Sequence, residues 1–252
     1  MKRIHRLLSG AALVVFTAFP LQSARTAPFI DSQYNDTSTA FFPLNTTNDL
    51  VLTGASTLSS VTSSGPIFLG ELGNINNGLL GGATTETTDV ATDALYFANG
   101  GPAAAGSITF HLNTAINTQG YDISALNVFG GWNQKAILQI FTVSYTKVGN
   151  SSPITLTNVN YVPFAYPVGA GDYSSLTTII SDNASPLISG VDSITFSFEP
   201  YDFSGDIRTT MLREISVIGT ASVPEPSTMA IITLAGGVLF VMVMRRRTAR
   251  AA

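Results

Sequence analysis

The chain contains no cysteine. That excludes a disulfide framework, a thiolate nucleophile and a thiolate metal site, and leaves an ordinary hydrophobic core or bound ions to hold the fold. Histidine is almost as scarce, and only His111 lies in the body of the chain between Pro28 and Ser222. Basic residues are thin there too. Lys2, Arg3, Arg6 and Arg25 precede the body and Arg245, Arg246, Arg247 and Arg250 follow it, leaving Lys135, Lys147, Arg208 and Arg213 inside. Every acidic residue except Glu225 falls between Asp31 and Glu214. The formal net charge of −4 therefore hides a clearly acidic body, which repels phosphate backbones and disfavours nucleic acid as a partner. The same surface attracts divalent cations. The body also lacks a long amphipathic helical pattern and a nucleophile-elbow motif.

What is present starts at the ends. Lys2, Arg3 and Arg6 stand ahead of an apolar run from Ala11 to Phe19, and small residues follow at Ser23, Ala24 and Ala27. This is the layout of a secretory signal peptide, assigned to residues 1–27. The cleavage position stays open, because neither Gln22 nor Arg25 is the small residue favoured three positions before a cut after Ala24 or Ala27. An uncleaved N-terminal anchor is the alternative.

At the other end, Met229 to Met244 is an uninterrupted apolar run. Its length at about 1.5 Å per residue is roughly 24 Å, a short but workable span of a hydrocarbon core about 30 Å thick. Arg245, Arg246 and Arg247 close it, a cluster that belongs on the cytoplasmic side and places the body outside. Ser227 or Thr228 can cap the helix. Pro224 and Pro226 fix their own φ angles and push Val223 and Glu225 towards extended backbone, so a stiff strip sits at the membrane surface. Such a strip is well presented to a processing enzyme.

The ordered set of Val223-Pro224-Glu225-Pro226-Ser227, apolar helix and terminal arginines resembles a PEP-CTERM sorting tail, here residues 223–252. That resemblance implies recognition by an exosortase-type membrane enzyme in Gram-negative bacteria that make exopolysaccharide. It also implies cutting near the motif and delivery to the cell surface or its matrix. A plain single-span anchor with a proline-rich stalk is the alternative.

Residues 28–222 read as an ectodomain of short strands. Ile108, Phe110 and Leu112 alternate with Ser107, Thr109 and His111; Phe141, Val143 and Tyr145 alternate with Thr142 and Ser144. Ile194, Phe196 and Phe198 repeat the pattern, as do Ile215 and Val217. Period-two alternation predicts half-buried antiparallel strands, and further strands are expected at 50–61, 94–98, 121–129 and 153–162. Gly- and Asn-rich turns separate them. The expected class is an all-β antiparallel sandwich with jelly-roll topology. The stretch from Gly120 to Gly149, around Gly130-Gly131-Trp132-Asn133, is similar to strands of galactose-binding-like jelly rolls attached to PEP-CTERM tails. Residues 69–92, poor in large side chains, are expected to form a long surface loop.

Chemistry-bearing residues are few. His111 falls on the polar face of its strand, and a Ser-His-Asp triad would need it in a cleft with a positioned serine, against the commoner reading of an exposed strand histidine. Glu199, Asp202 and Asp206 offer paired carboxylates for glycoside hydrolysis, against the commoner reading of a solvated loop. In the same loop, Asp202 and Asp206 with nearby carbonyls are candidate calcium ligands, since calcium takes several hard oxygens. No other cofactor is implied. Trp132 with Asn133 is a candidate sugar contact, against the commoner role of closing a core. Asn35, Asn45, Asn150 and Asn183 begin Asn-x-Ser/Thr sequons.

The resulting expectation is a non-enzymatic, exported surface or matrix protein whose sandwich binds or organises exopolysaccharide. The rivals are a secreted carbohydrate or ester hydrolase and a membrane-anchored ectodomain for protein partners.

Overall fold

A computed structural model describes residues 27–35, 42–80, 94–97, 104–131, 138–163, 174–183, 185–203, 206–208 and 210–223. These residues form an all-β, wholly antiparallel sandwich with one short 3-10 turn, Leu72–Asn76. Five strands lie side by side in the first layer, here sheet I. They are β2 (Leu58–Ser64), β5 (Gly106–Leu112), β10 (Ile188–Phe198), β7 (Gln139–Lys147) and β8 (Asn150–Tyr161), in that order. Sheet II runs β1 (Pro28–Asn35), β9 (Ser174–Ser181), β6 (Tyr121–Gly130), β13 (Leu212–Ala221), β4 (Leu95–Phe97) and β3 (Ile67–Gly70). A separate ribbon pairs β11 (Tyr201–Phe203) with β12 (Asp206–Arg208).

Strand β10 joins the layers. Ile188 and Val191 pair with Ile123 and Tyr121 of β6, while Ser193 to Phe198 pair with β5 on one side and β7 on the other. The register with β6 shifts between Ile188 and Val191, where Gly190 takes a left-handed φ of 71°. A bulge with glycine in that conformation bends a strand sharply, so one sheet curls over on itself and encloses a core.

The alternation decides which side chains fill that core. Ile108 and Phe110 of β5, Phe141 and Val143 of β7, and Ile194, Phe196 and Phe198 of β10 are all buried. Across from them lie Leu126 and Val128 of β6, Ile179 of β9, Ile215 and Val217 of β13, and Leu95 and Phe97 of β4. Phe97 and Phe198 stack across the layers at 6.2 Å between ring centres. Phe196 meets Phe110 edge-on at 6.2 Å and Phe141 at 6.1 Å. Each buried ring contributes about 1.5–3 kcal/mol of hydrophobic stabilisation, and aromatic geometry adds about 0.5–1.5 kcal/mol per pair.

The structure departs from the sequence reading in four places. The strand expected at 50–61 begins only at Leu58; before it, the amides of Leu50, Val51, Thr53 and Ala55 go to Val217 O, Asp49 Oδ1, Asn76 O and Leu52 O, a mixed set that forms no ladder. Strands β1, β3 and β9 are not among the expected strands; β9 points Ser175 and Thr177 inward where an apolar residue is usual. The loop around Asp202 is a paired ribbon. Within the expected surface loop 69–92, Ile75 and Asn76 are buried; residues 81–93 lie outside the described part.

Candidate functional site

The sequence-predicted positions separate clearly. The signal segment, Pro224 to Ser227, the span 229–244 and Arg245 to Arg247 lie outside the described residues, and so do Trp132 and Asn133. No helix among the described residues is long and apolar enough to cross a membrane. Asp202 pairs with Ile207 and Asp206 with Phe203 in the β11–β12 ribbon; their side chains are outside the description. Val223, the last described residue, is exposed. The residue before it is pinned: the Ser222 amide donates to Gly120 O at 2.9 Å and its hydroxyl donates to Asp122 Oδ1. The domain thus ends abruptly where the tail begins.

His111 stands on the outer face of sheet I, exposed, with Nε2 3.4 Å from Thr62 Oγ1. The register lines its neighbours into three rows across the strands. One row is Ser64, Ser107, Ser197, Thr142 and Asn158; the next is Thr62, Thr109, Thr195, Ser144 and Thr155. The third is Ser60, His111, Ser193 and Thr146. Hydroxyls bond across strands at 2.8 Å for Ser64–Ser107, 2.8 Å for Thr109–Thr195 and 2.7 Å for Thr146–Ser193. Thr142 Oγ1 donates to Asn158 Oδ1 at 2.8 Å. None of these positions carries a charged or large apolar side chain.

A second polar group lies beneath the surface, where alternation alone assigned β13 side chains to solvent. Residues 48–53 and the turn Leu72–Asn76 cover that face of the strand: Leu50 N donates to Val217 O at 2.8 Å and Gly219 N to Asn48 O at 3.1 Å. Asp49, Asn76 and Glu214 become buried, Glu214 completely. Asp49 Oδ1 accepts the amides of Val51 and Val217, each at 3.1 Å. Asn76 Nδ2 donates to Val51 O at 2.6 Å, and Gly78 N donates to Glu214 Oε1 at 3.2 Å. Asp49 Oδ2, Asn76 Oδ1 and Glu214 Oε2 have no hydrogen-bond partner. Ser216 Oγ makes no well-formed hydrogen bond, although its proximity pulls the Asp49 carboxyl down.

Burial pushes the Glu214 carboxyl up to about 8; the Gly78 and Asn77 amides oppose this and the Asp49 charge adds to it. Burial likewise raises Asp49, against the amides of Val51 and Val217. Two adjacent buried carboxyls need compensating positive charge. A proton on Glu214 supplies it, or a hard cation does. Carboxylate and carboxamide oxygens with no nitrogen or sulfur donor suit a calcium-class ion. Among the described residues no three His, Cys, Asp or Glu side chains converge, so the third donor would be the Asn76 carboxamide. Asp49, Asn76 and Glu214 are far apart in sequence, so their shared burial where residues 48–53 and the Leu72–Asn76 turn cover β13 has no local signal.

Comparison with known proteins bears on the tail first. The family model described as the PEP-CTERM protein-sorting motif matches residues 222–247. The chain carries a PEP-CTERM sorting motif. It opens at the hydrogen-bonded Ser222 and ends on the arginine cluster. No curated protein matches the chain. Among solved structures, the family 32 carbohydrate-binding module of Clostridium perfringens NanJ, in complex with galactose, is similar at 10% identity and a TM-score of 0.41. That match covers 63% of this chain and 91% of the module. A second such module, from a family 31 glycoside hydrolase of Clostridium perfringens, has 10% identity and a TM-score of 0.41, covering 66% and 92%. Allantoicase is similar at 12% identity and a TM-score of 0.39, over 68% of this chain and 43% of that one.

Proposed function

We propose that this protein is exported, sorted through its PEP-CTERM tail by an exosortase-type enzyme, and displayed at the cell surface or in the extracellular matrix. There its β-sandwich binds or organises exopolysaccharide without catalysis. The observation that carries the reading is the sorting motif at residues 222–247. In the sorting step, residues 229–244 hold the chain in the membrane and Arg245, Arg246 and Arg247 keep the far end cytoplasmic. Pro224 and Pro226 hold the strip between domain and membrane extended for the enzyme. The Ser222–Asp122 bond keeps that strip from being absorbed into β13.

The non-enzymatic part is supported by His111, which is exposed on the outer face of sheet I, 3.4 Å from Thr62 Oγ1; Glu199 is exposed as well. The test is mass spectrometry of the C-terminus of the protein recovered from the native host's surface fraction. A terminus between Pro224 and Ser227 is expected. An intact chain through Ala252 in the inner membrane would leave an ordinary anchored ectodomain instead.

A further inference from the structure

We infer that the outer face of sheet I is a docking platform for a neutral polysaccharide lying flat across the strands. This deepens the polysaccharide reading above and rests on it. The three rows hold twelve hydroxyl side chains with one histidine and one asparagine. Neighbouring hydroxyls recur about every 4.8 Å across strands and about every 6.8 Å along them. Together they tile roughly 19 by 14 Å, by the same spacings. The nearest charged positions on these strands are Asp192 and Lys147 beyond one end of the rows and Glu199 beyond the other.

The chemistry of the face narrows the occupant. With no cation in the rows, nothing on it neutralises phosphate, sulfate or uronate groups. With no large apolar side chain, nothing drives lipid insertion or a dry protein interface. Of the exposed large hydrophobics, Phe29 and Tyr34 lie on β1, Ile67 and Phe68 on β3 and Val148 in the turn between β7 and β8, none of them in the three rows. A hydroxyl offers one donor and two acceptor sites. In each of the pairs Ser64–Ser107, Thr109–Thr195 and Thr146–Ser193 one O–H is used on its partner and the other remains, with spare lone pairs beside it. The cross-strand bonds also hold the rotors before anything binds, which lowers the ordering cost of association. A chain of neutral sugars, itself a regular array of hydroxyl donors and acceptors, matches such a surface group for group.

The test is native affinity gel electrophoresis of the full chain in a polyoxyethylene detergent. The gels contain soluble galactomannan, mixed-linkage β-glucan, the host's own matrix extract, or anionic alginate. The neutral polymers are expected to retard the protein and alginate is not. Thr62→Lys with Thr195→Lys and Ser144→Lys places charge along the middle row and should abolish the retardation, whereas Gln33→Lys on β1 should preserve it. Should the lysine variant fold poorly, Thr62→Val with Thr109→Val and Thr195→Val removes hydroxyls at matched volume. Loss of three hydrogen bonds of about 0.5–1.5 kcal/mol each predicts a weakening of about tenfold or more. Unchanged retardation in both variants would overturn the platform while leaving polysaccharide binding intact. No retardation of the wild-type chain by any polymer would overturn both.

Discussion

With its carboxyl pushed up to about 8 from an ordinary 4.5, Glu214 keeps its proton in the folded domain after the unfolded chain has lost it. The stability this contributes is complete below about pH 4.5, declines as pH rises towards 8, and is gone above it. Asp49, raised by burial as well, works in the same direction. Melting temperature measured from pH 4 to 9 in chelator should therefore fall across this window. Glu214→Gln, which keeps the shape and cannot ionise, should flatten most of the decline. Calcium added at pH 8 should raise the wild-type melting temperature and leave the glutamine variant nearly unmoved. A flat profile in chelator would mean that the compensating charge is not a Glu214 proton, and no calcium effect on the wild type at pH 8 would mean that it is not that cation. Nothing at the level of single residues announced this cluster. A glutamate between Arg213 and Ile215 has the outward parity of a solvated strand position, and burial came from a segment more than a hundred residues earlier. Phe196, by contrast, was legible from alternation alone.

Among the elements, β10 joins the two layers, since it pairs with β5 and β7 in one and β6 in the other. Phe196→Ala should cost about 3–5 kcal/mol, the usual range for deleting a buried ring. Its contacts with Phe110 and Phe141 fall on the strands to either side. Equilibrium urea unfolding gives the number; a loss below about 1 kcal/mol would mean that the core closes over the gap. The strands that alternation revealed are those with apolar inward positions, as in β5, β7 and β10. β9 escaped because Ser175 receives a hydrogen bond from Gln139 at 3.0 Å and Thr177 bonds Ser32 at 2.9 Å. Polar groups satisfied inside a sandwich erase the pattern by which strands are read. The rows on sheet I were half visible: Ser107, Thr109, His111, Thr142 and Ser144 had the right parity, but the pairing order that aligns them lies in the topology.

For the whole molecule, the C-terminal tail carried the clearest signal, because a sorting motif is recognised as linear sequence and needs no tertiary context. Pro224→Ala with Pro226→Ala removes the two fixed φ angles that favour an extended strip and should leave the chain uncut. Fractionation with intact-mass measurement would then find it in the membrane rather than at the surface; normal release would show that stiffness is dispensable. The clasp of Ser222 on Gly120 and Asp122 has one more result. Any pull on the tail, from a bilayer or from a surface attachment, enters the domain at the end of β13. That strand lies inside sheet II, paired with β6 from Leu212 to Ala221. Tension therefore runs along the strand and loads its ladder in shear, so many hydrogen bonds resist together instead of unzipping one by one. The last strand of the domain is thus the one that meets any load on the tail.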